Sequence, residues 1–139
     1  MKYKYLDHTA DAMFECYGKT LEELFANAGL ATFNLLTDII KVKQIKSFKI
    51  DLSSNKLEKL LFDFLDELLF YLDTEHMLFS DFKNIIIKEN NGEYTLSCTA
   101  IGDVASNYET HGDVKAPTYN EMVIKKTNKG FSAVVVVDI

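Results

Sequence analysis

A run of leucine and phenylalanine residues between positions 57 and 72 constrains the fold most. These apolar residues recur every three or four positions, which places their side chains on one face of an α-helix. A helix with one wide apolar face needs a second layer of structure to cover it, so the rest of the chain must supply that layer. The members of the stripe are Leu57, Leu60, Leu61, Phe64, Leu65, Leu68, Leu69 and Leu72.

A second helical pattern covers residues 20–37. Thr20 is a suitable N-cap, because Glu23 follows three residues later and completes a capping box. The cluster Ser53-Ser54-Asn55 precedes the leucine-rich stripe and is expected to form a turn and cap that helix.

Alternating or continuously apolar segments surround both helices and predict strands. Asn90-Asn91-Gly92 and Asn128-Lys129-Gly130 are hairpin signals. The run of valines at 134–137 is typical of a central strand covered on both faces. Pro117 has no N–H to donate and therefore predicts an edge strand or a bulge. The predicted strands are residues 3–6, 13–17, 47–52, 82–88, 94–101, 113–119, 122–126 and 131–138.

Together these patterns predict an α+β fold, with two helices packed on a mostly antiparallel sheet. The order strand, helix, strand occurs near residues 13–52 and again around 48–101, which indicates a faint internal symmetry. The length of 139 residues fits a single domain, 1–139.

Composition argues against several classes of function. The net charge is −6 and all 15 basic side chains are lysine, so strong direct nucleic-acid binding is not expected. Cys16 and Cys98 are too few for a disulfide framework or a four-cysteine zinc site, and are predicted to be buried free thiols. No apolar run approaches about 20 residues and the first residues do not resemble a signal peptide, so a cytoplasmic protein without a membrane partner is expected.

Carboxylates at the two ends of the chain form the first candidate site. Asp7 and Asp11 lie in a short polar break between apolar runs, and Asp138 closes the last apolar run before Ile139. If the first and last strands are neighbours, these oxygens meet and repel one another unless protons or a cation neutralise them. Oxygen ligands of this kind suit Ca²⁺ or Mg²⁺. A turn in which these side chains bond only nearby backbone groups is the alternative.

Two further features each have an ordinary and a functional interpretation. His8 is either a proton carrier or a structural partner of the neighbouring carboxylates. The polar face of the second helix is either plainly solvated or an electrostatic docking surface. That face carries Glu58, Asp63, Asp66, Glu67, Asp73 and Glu75 against Lys59.

Several segments, in this order and spacing, resemble the archease family, and the resemblance covers essentially the whole chain. The matching segments are Asp7-His8-Thr9-Ala10-Asp11, residues 17–25, 34–38, 68–75 and 114–119, and the terminal Val137-Asp138-Ile139. The resemblance implies a fold of duplicated strand–helix–strand–strand units. It also implies that the chain is a protein cofactor of the tRNA-splicing RNA ligase and not an enzyme by itself. Such a cofactor promotes guanylylation of the ligase's active-site histidine and allows multiple turnover in joining RNA 3′-phosphate and 5′-hydroxyl ends.

The resemblance also assigns residues. It implies that Asp11, Asp138 and the main chain of Ile139 bind the metal ion, which leaves Asp7 and His8 as supporting residues. Lys115 matches a lysine in the family's second functional patch, where Tyr119 and Asn120 are further candidates for contact with the partner. From its pattern alone, this segment also reads as an ordinary strand with an exposed lysine.

Asn120 departs from the family pattern, which usually has histidine after the tyrosine. Asparagine does not titrate near neutral pH, so a contact or orienting role is expected at this position, and not proton transfer.

Two other functions remain open from the sequence. A small metal-dependent phosphohydrolase or nuclease would use the same carboxylates to activate water. A general protein-interaction adaptor would use the acidic helix face, and charge reversal at Asp63, Asp66 and Glu67 would then weaken its binding.

Overall fold

The computed structural model describes residues 1–8 and 11–139, and for Asn120 it describes the main chain only. Two helices and seven strands form the described part of the chain. The helices are α1 (Leu21–Asn34) and α2 (Leu57–Glu75), and short 3₁₀ turns occur at Ile39–Lys41 and Ala105–Asn107. The strands are β1 (Tyr3–Leu6), β2 (Ala12–Gly18), β3 (Lys46–Ser54), β4 (Met77–Asn90), β5 (Glu93–Val104), β6 (Ala116–Thr127) and β7 (Gly130–Asp138).

The strands form two antiparallel sheets, and the predicted α+β class is confirmed. One sheet has the order β1-β2-β7-β6 and the other has the order β3-β5-β4. The sequence predicted antiparallel pairing but did not divide the strands between two sheets, because strand periodicity reports which side chains are buried and not which strand lies alongside. Strand β7, which contains the valine run, lies between β2 and β6 as a central strand should.

The spatial order β2-β7-β6 in one sheet repeats the order β3-β5-β4 in the other, which fits duplicated units. Each helix also attaches to a strand in the same manner. Glu22, in the first turn of α1, accepts a hydrogen bond from the backbone N–H of Ile87 at 3.1 Å. Glu58, in the first turn of α2, accepts one from the N–H of Ile124 at 3.4 Å. These bonds fix α1 against β4 and α2 against β6.

The core lies between the helices and the inner faces of the two sheets. Phe25 of α1 packs against Phe64 of α2 with ring centroids 5.9 Å apart, and Phe64 in turn meets Phe82 of β4 edge to face. Phe33 packs edge to face on Phe79, which is fully buried. The helices are therefore held by aromatic contacts that continue into the three-stranded sheet.

Helix α1 begins as predicted, and α2 does not. The Thr20 Oγ1 accepts from the N–H of Glu23 at 3.1 Å, which confirms Thr20 as the N-cap. The expected cap of α2 within Ser53-Ser54-Asn55 is wrong, since Lys56 occupies the N-cap position and makes no side-chain cap bond. Ser54 belongs to β3, and its Oγ accepts from the N–H of Lys56 at 3.5 Å.

Both predicted hairpins are present, most of the other strands extend slightly beyond their predicted bounds, and two strands differ more. Strand β4 begins at Met77 and not at residue 82, because α2 ends at the left-handed residue His76 and the chain enters the sheet at once. The predicted strands 113–119 and 122–126 are one strand, β6, whose pairing with β7 is interrupted between Thr118 and Val123. The expectation of an edge strand at Pro117 is confirmed, since β6 is the last strand of its sheet.

Candidate cation-binding corner

Three strands of the four-stranded sheet meet at one corner. Ala12 at the start of β2 pairs with Val137, and Ala116 at the start of β6 pairs with Asp138. The N–H of Lys115 donates to the main-chain oxygen of Asp138 at 2.8 Å, so this segment continues alongside the chain terminus. The start of β2, the start of β6 and the end of β7 therefore lie together.

The sheet register brings the predicted carboxylates to this corner. Strand β2 pairs with β7 from Gly18 to Ala12, and the last pair joins Ala12 to Val137. Asp11 precedes Ala12 and Asp138 follows Val137, so both carboxylates lie at this end of the sheet. Like charges brought near one another in this way repel unless protons or a cation neutralise them. That Asp11, Asp138 and Ile139 bind one cation there stays a prediction.

The oxygen atoms at this corner are accessible. The side chain of Asp11 is 28% exposed, and Asp138 and Ile139 lie on the surface. Asp7 is also exposed. The rest of the predicted turn, Thr9 and Ala10, lies outside the described residues.

The residues at the corner fit a hard cation held partly by main-chain oxygen. Among residues 1–8 and 11–139, no group of three or more histidine, cysteine, aspartate or glutamate side chains is arranged to hold a metal ion. The predicted set has only two such side chains, Asp11 and Asp138, and takes its other protein ligand from the main chain of Ile139. Carboxylate with carbonyl oxygen and water is the donor set of Ca²⁺ and Mg²⁺. The corner therefore suits these ions better than zinc, which favours nitrogen and sulfur.

His8 joins this corner to β6. Its Nε2 lies 3.1 Å from Glu121 Oε2, and its Nδ1 lies 3.9 Å from Asp11 Oδ2. The latter distance is too long for a hydrogen bond. Nδ1 is buried and has no hydrogen-bond partner among the described residues. Buried polar atoms without a partner are rare, and this one lies next to a carboxylate that is a predicted cation ligand.

The partner-contact candidates lie along β6, beginning next to the corner. Lys115 is exposed. The ring of Tyr119 is stacked on Phe62 of α2, with centroids 4.3 Å apart and an interplanar angle of 5°. Tyr119 is 51% exposed, and partial burial raises the pKa of its hydroxyl, so the group stays neutral. The side chain of Asn120 lies outside the part of the chain that the structure describes.

Sequence reasoning missed Glu121 and Phe62. Glu121 bonds His8, and Phe62 supports the exposed tyrosine. For Glu121 there was a signal, because the alternating pattern of β6 breaks at 120–121, between the two strands that were predicted. The break is a bulge of residues 119–122, in which Glu121 has a positive φ of 60°. The partner of a bulged residue cannot be read from the pattern alone.

The acidic face of α2 is smaller than the sequence indicated. Glu58 is half-buried and bonds the backbone of β6, and Asp63 pairs with Lys59 at 2.7 Å. Asp66, Asp73 and Glu75 remain exposed, and Glu67 is half-buried.

The two cysteines are buried, as predicted. Burial raises the pKa of each thiol to about 12, so neither is a thiolate at neutral pH.

None of the described helices is long and apolar enough to cross a membrane.

Comparison with known proteins identifies the family. The sequence matches the profile of the Archease protein family over residues 3–139. The chain belongs to the archease family. It is 46% identical to the protein archease of Methanosarcina barkeri, over 99% of this chain and 96% of the relative. It is 39% identical to the protein archease of Methanothermobacter thermautotrophicus, over 99% of this chain and 98% of the relative.

Solved structures agree with this archease fold. A solution structure of protein 1598 of Methanobacterium thermoautotrophicum matches with a TM-score of 0.86 and 38% identity, covering 99% of this chain and 98% of that one. The crystal structure of a Thermotoga maritima archease, described as a possible chaperone, matches with a TM-score of 0.57 and 20% identity, covering 98% and 96%. The second likeness bears on the fold alone.

Proposed function

We propose that this archease is an accessory protein of the tRNA-splicing RNA ligase and not an enzyme by itself. It promotes guanylylation of the ligase's active-site histidine, and so allows repeated joining of RNA 3′-phosphate and 5′-hydroxyl ends. Membership of the family supports this proposal.

One observation carries the proposal for the site. The observation that supports it is the pairing of β2 with β7 as far as Ala12 and Val137, together with the bond from the Lys115 N–H to the main-chain oxygen of Asp138. A corner that carries carboxylates and a lysine can enter a partner's cleft as a unit, since its groups lie at or next to the ends of adjoining strands of one sheet.

Asp11, Asp138 and the main chain of Ile139 would hold a divalent cation, Ca²⁺ or Mg²⁺. When bound, such an ion supplies positive charge beside nucleotide phosphates. The other residues of the site support the cation ligands and contact the ligase. Asp7 and His8 support the turn that presents Asp11, and the β6 candidates Lys115, Tyr119 and Asn120 contact the ligase. Exact placement of groups around the reacting histidine is the contribution expected of such a cofactor.

Co-purification with the ligase, followed by single-turnover guanylylation of the ligase with and without this chain, tests the proposal. We expect a stable complex and faster formation of guanylylated ligase when the chain is present. Equal rates with and without it would contradict the proposal. Metal-dependent hydrolysis of RNA or phosphate esters by the purified chain alone, abolished by Asp11→Ala, would favour a hydrolase instead.

A further inference from the structure

The β6 bulge and the cation corner are connected by one side-chain contact. Between Thr118 and Val123 the strand carries four residues opposite the single residue Val135, so the chain is pushed out of the sheet there. Within this bulge Glu121 adopts a left-handed backbone conformation, with a φ of 60°. Residues other than glycine avoid that conformation unless their surroundings impose it, and where it occurs it often serves a functional site.

The side chain of Glu121 reaches the other end of the sequence. Its Oε2 lies 3.1 Å from His8 Nε2. The His8 side chain is only 21% exposed, whereas that of Glu121 is 51% exposed. A largely covered imidazole is thus held from outside by a carboxylate in the bulge.

This contact determines what His8 presents to Asp11. A carboxylate only accepts, so Nε2 is the donor in this contact and the direction of the bond fixes the orientation of the ring. The other ring nitrogen, Nδ1, is buried, lacks a hydrogen-bond partner among the described residues, and lies 3.9 Å from Asp11 Oδ2. The imidazole that Glu121 holds therefore lies directly beside the Asp11 carboxylate.

We infer that Glu121 is a positioning residue of the cation corner. Through His8 it positions the Asp11 carboxylate, and it links the occupancy of the corner to the conformation of the β6 bulge, where Tyr119 and Asn120 lie. The inference rests on the proposed function, since it assumes that Asp11 binds a cation. Carboxylates that orient a histidine at a metal site commonly change metal affinity by roughly 10- to 100-fold when they are removed.

Calorimetric titration of the purified chain with Ca²⁺ alone, and separately with Mg²⁺ alone, tests this inference. Glu121→Ala is expected to raise the Kd by roughly 10-fold or more. Glu121→Gln keeps an oxygen that accepts from His8 Nε2, so it is expected to retain most of the affinity. Glu93→Ala is the control, because Glu93 is an exposed carboxylate in the other sheet. The variants' unfolding temperatures in EDTA verify that they are folded.

The double variant His8→Ala/Glu121→Ala separates positioning from charge. If Glu121 acts through His8, the double variant binds no more weakly than His8→Ala alone. Three results would overturn the inference and leave the cation site intact: unchanged affinity in Glu121→Ala, equal weakening by Gln and Ala, or additive losses in the double variant. Absence of cation binding by the wild type would instead refute the proposed cation site, and this inference with it.

Discussion

The stability effect of Asp138→Asn should change sign when a divalent cation is added. In EDTA the wild-type chain carries two like charges at the corner, because Asp11 and Asp138 are the residues next to the last pair of β2 and β7, Ala12 and Val137. Like charges directly opposite on neighbouring strands destabilise a sheet, and cross-strand pairs of this kind are worth roughly 0.2–1 kcal/mol. The substitution removes one of them, so the variant should be more stable than wild type by about that amount.

With the cation present the order reverses. A ligand at about 100 times its Kd stabilises the folded state by about 2.7 kcal/mol. If Asp138→Asn removes cation binding, the variant lacks this stabilisation by the ligand, but it still has the increase of about 0.5 kcal/mol that comes from removing the repulsion. The variant should then be less stable than wild type by about 2 kcal/mol.

Urea unfolding followed by circular dichroism, in EDTA and in CaCl₂ at equal ionic strength, measures both values. Asp51→Asn is the matched control, because Asp51 is an exposed aspartate on β3 of the other sheet. Its effect on the free energy of unfolding should be the same in the two buffers. If the effect of Asp138→Asn is also independent of the cation, Asp138 is not a ligand and the reasoning is refuted.

Three further predictions concern the rest of the fold. A hydrogen bond from Tyr108 lowers the pKa of Asp103, so the stability that this carboxylate contributes is complete above its unfolded pKa, near 3.8, and is lost as pH falls through the lower folded value. Between pH 5 and pH 2, the free energy of unfolding should therefore fall less steeply in Asp103→Asn than in wild type, and equal slopes would contradict this. Cys16 and Cys98, with pKa values raised to about 12, should resist iodoacetamide at pH 8 until urea is added, as followed by mass spectrometry; rapid labelling of the native chain would show that they are accessible. Gly102→Ala would place a Cβ against the main-chain oxygen of Leu78, so urea unfolding should show a free energy of unfolding lower by about 3 kcal/mol, or no folded protein. A decrease below about 1 kcal/mol would contradict the close approach of β4 and β5.

Local chemistry made part of the fold predictable. The N-cap at Thr20, the Asn91-Gly92 hairpin and the valine-rich central strand each follow from residues close together in sequence, and each was confirmed. The division into two sheets and the bulge at 119–122 depend on packing between distant segments, which periodicity does not record. The cap of α2 was mispredicted because Ser54 belongs to β3.

The candidate site was predictable to a similar degree. Carboxylates at both chain ends suggested a shared corner, and the pairing of β2 with β7 is compatible with it. The bond between His8 and Glu121 was not predictable, since it joins residues 113 positions apart through a bulge. The assignment of Asp11, Asp138 and Ile139 as ligands came from the family resemblance and stays a prediction.

The rate of ligase guanylylation under single-turnover conditions tests the central claim most directly. The comparison is between the wild-type chain, Asp11→Ala/Asp138→Ala and the control Asp51→Ala, each added to the same ligase with GTP and a divalent cation. We predict that the double variant leaves the rate at that of the ligase alone, and that the control stimulates as wild type does. Full stimulation by the double variant would contradict a function that acts through this corner.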